Sequence, residues 1–147
     1  MSHRDVLGAR IFGWSLLVLG AGHLSTAAAE LGRTPDAATQ QAMAALRLAA
    51  VAMPGPQRDL EQLMWGYSLL MGLMVIAFGA AFLWAASRGA GSLRSLLWIG
   101  AGVALAGLVI SALLMPLPPI IGLSVALLGA IFGLTERGVA APGRPAQ

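Results

Sequence analysis

Four uninterrupted apolar stretches, each long enough to cross a bilayer as a helix, constrain this chain more than any other feature. A hydrocarbon core of about 30 Å takes about 20 helical residues. The stretches run from about Ile11 to Ala29, Leu63 to Ala86, Leu96 to Met115 and Pro119 to Leu134. They are continuous rather than alternating, and too long for barrel strands. A helix also satisfies its own backbone hydrogen bonds, as lipid demands. Of the 147 residues 58% are hydrophobic and 10% charged, so too few polar side chains exist to cover a soluble domain. The expected fold class is all-α, a four-helix transmembrane bundle. One domain over residues 1–139 is expected, followed by a disordered tail at 140–147 that contains Pro142, Gly143 and Pro145.

The connection from Leu31 to Gln62 is too long to be a bare loop. Thr34-Pro35-Asp36 signals a helix start, with a capping side chain and then proline at the first helical position. Pro54-Gly55-Pro56 signals a stop. Between them Met43, Leu46, Ala50 and Met53 share one face, and Asp36, Gln40 and Arg47 another. This predicts an extra amphipathic helix in the long outer loop between the first two spans, lying on the membrane or capping the bundle.

All nine basic residues are arginines. Arg4, Arg10, Arg88, Arg94, Arg137 and Arg144 flank one side of the spans. Arg33, Arg47 and Arg58 lie in the long loop beside Asp36, Asp59 and Glu61. The positive-inside rule then places both termini in the cytoplasm. Trp14, Trp84 and Trp98 fall near the inner interface, and Trp65 and Tyr67 near the outer one, as belt residues do. The basic n-region, the apolar run Ile11–Gly22 and the small residues Ala27-Ala28-Ala29 also fit a secretory signal peptide, and cleavage there would leave three spans.

Several functions are excluded. The arginines form no patch that tracks a phosphate backbone, so no nucleic-acid partner is expected. No cysteine is present, which removes thiolate metal sites and thiol redox chemistry. One chain offers a single histidine within the bilayer, so bis-histidine haem ligation is out of reach, and no cofactor or metal is expected. No nucleotide-binding or hydrolase motif appears.

Ionisable residues in a membrane are functional candidates by default. His23 is the only one well inside a span. Thr26 and Glu30 follow at helical spacing on the same face. His23 and Glu30 are separated by about 10 Å along the axis, too far for a direct bond, so Thr26 or a water would bridge them. They are read as an outward polar cleft holding a proton or a ligand. The plainer alternative is a structural histidine bonded to Ser68 or Tyr67 on the second span. Small residues form the other pattern: Gly122, Ala126, Gly129, Ala130 and Gly133 on the fourth span serve helix packing, within one bundle or between two copies.

Gly20-Ala21-Gly22-His23-Leu24 ending the first span, the long outer loop, and Trp65-Gly66-Tyr67-Ser68 opening the second resemble a family of uncharacterised bacterial four-helix small integral membrane proteins. The likeness covers roughly Arg10 to Glu136. It implies the fold and a role for His23, but no reaction; together with the arginine distribution, the expected place is the bacterial inner (cytoplasmic) membrane. Small multidrug exporters are similar in helix count, but they carry a glutamate deeper in the first span than Glu30 and lack the long loop. Emopamil-binding-type sterol isomerases have acidic and histidine residues inside, whereas here no carboxylate lies mid-membrane.

The resulting expectation is a non-enzymatic accessory or lipid-interacting bundle, with membrane lipids and a second copy or another membrane protein as partners. The alternatives are a proton-linked carrier of a small hydrophobic or cationic molecule using His23 and Glu30, and an enzyme acting on a lipid substrate.

Overall fold

The computed structural model describes residues 3–51, 58–89, 91–114 and 117–135. The elements follow in the order α1 (His3–Leu31), α2 (Ala37–Leu48), β1 (Ala50–Val51), β2 (Arg58–Asp59), α3 (Leu60–Arg88), α4 (Leu93–Leu114) and α5 (Leu117–Leu134). α1, α3, α4 and α5 are long and apolar enough to cross a membrane. The protein is a small helical membrane protein: a four-helix bundle with an added helix between its first two spans.

The sequence locates all five helices, and their ends differ in instructive ways. α1 starts at His3 rather than near Ile11, because a helix longer than the hydrocarbon can project into the headgroups with Arg4 and Arg10 attached. α2 is capped by Asp36, whose carboxylate accepts the Thr39 N–H at 2.7 Å; Pro35 stands before the cap rather than inside the helix. A carboxylate acceptor makes a charge-assisted bond to that N–H, which favours Asp36 over Thr34 as the cap. Asp59 caps α3 in the same way, accepting the Gln62 N–H at 2.8 Å. α3 ends at Gly89, in the left-handed region at φ 63°, where a side chain would be strained. Pro118 and Pro119 fall in the first turn of α5, where no intrahelical N–H bond is lost. Pro54-Gly55-Pro56 and the 140–147 tail lie outside the described residues.

α1 is the central element. It runs antiparallel to both α3 and α5, and glycines let the backbones meet. A Cβ on Gly13 would lie 2.8 Å from the Gly79 carbonyl oxygen, and one on Gly8 would lie 2.6 Å from Gly133 Cα. Small residues at such seams are how helices pack in lipid, where no hydrophobic effect drives them together. Gly122, Gly129 and Gly133 approach Leu19, Ile11, Leu97 and Gly8 of the same chain, and Ala126 and Ala130 are fully buried. This face of α5 is therefore occupied within one bundle, and a second copy would have to use another.

The core gathers at the end of the bundle where α1 begins. Phe12, Phe82, Leu93 and Leu97 are its largest fully buried side chains. Phe12, Phe78 and Phe82 form an aromatic cluster with ring centroids 4.4–6.1 Å apart. α4 packs mainly on α5 and shares little contact with α3. The two are joined near their shared turn, where Phe82 reaches Gly100. Towards the α2 end they leave a gap. Trp14, Trp84 and Trp98 are each about 60% exposed and point outward, as lipid-facing residues should.

Candidate functional site

The gap between α3 and α4 is a cavity of about 530 Å³, within the range of ligand pockets. Phe12, Leu16, Leu19 and Gly20 of α1 form its back. Val75 and Phe78 of α3, Ala104 and Gly107 of α4, and Pro119 and Leu123 of α5 add further walls. Met71, Val103 and Ile110, each between 43% and 52% exposed, mark its mouth. The walls are almost wholly apolar; the polar groups are the buried Ser111 and His23. From Phe12 to His23 the cavity follows about 16 Å of the α1 axis.

A second cavity, of about 350 Å³, lies at the α2 end of the bundle. It is lined by His23, Thr26, Ala27 and Glu30 of α1, Met43 and Leu46 of α2, and Glu61, Met64, Trp65 and Ser68 of α3. Among the described residues, His23 alone lines both cavities.

His23 is fixed by α3. Its Nε2 lies 2.9 Å from Ser68 Oγ and 3.0 Å from the Ser68 carbonyl oxygen. A carbonyl can only accept, so Nε2 carries the proton and, in the neutral ring, Nδ1 is the acceptor. Gly72 provides the space: a Cβ there would lie 2.6 Å from Leu24 Cδ2 and 3.1 Å from His23 Cδ2.

The polar line drawn from the sequence is only partly connected. Thr26 turns its hydroxyl onto the His23 carbonyl of its own helix, at 2.8 Å, and bridges nothing. Glu30 pairs with Arg33 at 2.9 Å near the surface. Ser68 is the partner of His23, whereas Tyr67 is 67% exposed and lines neither cavity. Sequence reasoning passed over Glu61, Met64 and Trp65 as site residues. The amphipathic face of α2 was the available signal, since Met43 and Leu46 do turn inward.

α2 is held over this second cavity by its neighbours in the fold. Arg47 forms an ion pair with Glu61 through two hydrogen bonds, one of them 3.2 Å. β1 pairs antiparallel with β2, Ala50 opposite Asp59, and the Leu60 N–H bonds the Ala49 carbonyl at 3.1 Å. The Glu61 hydrogen bond, and then its charge, hold the Arg47 guanidinium above its ordinary value. The Thr39 backbone N–H holds the Asp36 carboxyl below its own. Among the described residues no three histidine or acidic side chains gather to hold a metal.

No protein-family model matches this chain, and neither does any curated protein or solved structure.

Proposed function

We propose that this protein is a non-enzymatic, lipid-binding bundle that takes the apolar part of an amphiphile into the gap between α3 and α4. The carrying observation is the cavity itself: about 530 Å³, apolar, backed by buried side chains of α1 and open sideways past Val103 and Ile110. In a bilayer such a gap fills with the nearest apolar matter, which is an acyl or isoprenoid chain. Membrane lipids are accordingly the first partners in this reading.

The likeness to the bacterial Gly-His four-helix family supports His23 as the residue that marks the site. The arginine distribution supports an inner-membrane location with both termini cytoplasmic. Arg4, Arg10, Arg88 and Arg94 lie at the end where α1 starts, while the α2 end balances Arg33, Arg47 and Arg58 against Glu30, Asp36, Asp59 and Glu61.

Photo-crosslinking tests the reading. A long-chain fatty alcohol with a diazirine in its chain, presented in bilayers, is expected to label Met71, Val103 and Ile110 above the lipid-facing background at Val18 and Leu128. Labelling no stronger than at those two positions would remove the proposal.

A further inference from the structure

We infer that the cavity under α2 binds a positively charged head group, so that the preferred ligand is a single-chain amphiphile ending in an ammonium. This rests on the proposal that the α3–α4 gap holds the tail. The head cavity contains two carboxylates, Glu30 and Glu61, and the indole of Trp65. The arginines that pair with those carboxylates, Arg33 and Arg47, are not among its described walls. Glu61 is the better placed of the two acids, with its side chain only 17% exposed. An ammonium beside an aromatic face and a carboxylate gains from both, and more so when partly desolvated. An anionic head would face the two carboxylates and not the arginines that pair with them. His23 lines both the head and the tail cavity, with its Nε2–H held by Ser68.

The test uses the full-length protein in neutral maltoside micelles, with hexadecyltrimethylammonium, hexadecyl sulfate and hexadecanol as probes of one chain length. Retention is read by native mass spectrometry. The ammonium is expected to bind about tenfold more tightly than the sulfate. Glu61→Gln and Trp65→Leu are each expected to reduce ammonium binding severalfold and leave hexadecanol unchanged. Glu61→Gln also breaks the ion pair with Arg47, so Arg47→Gln is the companion variant. It unmasks the Glu61 charge and is expected to raise ammonium affinity, whereas mere loosening of α2 would lower it. Equal retention of ammonium and sulfate, or a fall in ammonium binding in Arg47→Gln as well as in Glu61→Gln, overturns the inference while leaving tail binding intact. Loss of all three probes from correctly folded protein overturns tail binding as well.

Discussion

His23 and Ser68, forty-five positions apart in the chain, are joined at the wall between the two cavities, with Nε2 2.9 Å from Oγ and 3.0 Å from the carbonyl oxygen. The backbone acceptor cannot be removed by mutation. Ser68→Ala is therefore expected to cost at most about 1 kcal/mol, the usual worth of an interhelical bond in a membrane. Unfolding in mixed micelles checks this. A loss of several kcal/mol would mean that the hydroxyl holds more than the histidine.

The seam of α1 with α3 permits no side chain where Gly13 meets Gly79. Gly13→Ala is expected to destabilise by about 1–3 kcal/mol, as overpacking does. Gly102 has nothing within 4 Å of the position a Cβ would take, so Gly102→Ala is expected to be neutral or slightly stabilising. Thermal unfolding of the two variants side by side would refute the helix arrangement if their order were reversed.

Most of the architecture was legible because the bilayer imposes it: apolar runs of spanning length admit one local structure. The amphipathic loop helix was legible from Met43, Leu46 and its flanking signals. The gap between α3 and α4 was not. It arises because α4 settles on α5 rather than α3, a choice made by interlocking shapes such as Gly107 against Leu123. The pairing of Arg47 with Glu61 was hidden for a similar reason, since it depends on the return path through β1 and β2. His23 was visible as an outlier in an apolar run, and Ser68 as one candidate partner. The turning of Thr26 and Glu30 to local partners depends on rotamers that helical spacing does not set.

Asp36 gives α2 a pH dependence. Its folded value lies below the ordinary one, so the stabilisation is complete above the ordinary carboxylate range and is lost as pH falls through the lowered value. NMR chemical shifts of Ala37–Gln41 are expected to report fraying of the first turn as pH falls below the ordinary carboxylate range. Asp36→Asn keeps a capping acceptor and is expected to remove the titration while preserving the turn. Fraying of the variant over the same range would assign it to another group.

The absence of cysteine makes the topology directly measurable. A single cysteine at Gln41→Cys is expected to react with an impermeant maleimide added to intact cells, and one at Thr135→Cys only after permeabilisation. The opposite pattern would invert the orientation.

The central claim, that the gap between α3 and α4 holds the apolar part of an amphiphile, is tested most directly by filling it. Val103 lies at the mouth and is 52% exposed, so Val103→Phe occupies the space without entering the core. Native mass spectrometry of the wild type, released from its own membrane, is predicted to show one retained amphiphile. The variant, with unchanged helicity and thermal stability, is predicted to lose it. Equal retention by both proteins, or none by the wild type, would contradict the claim.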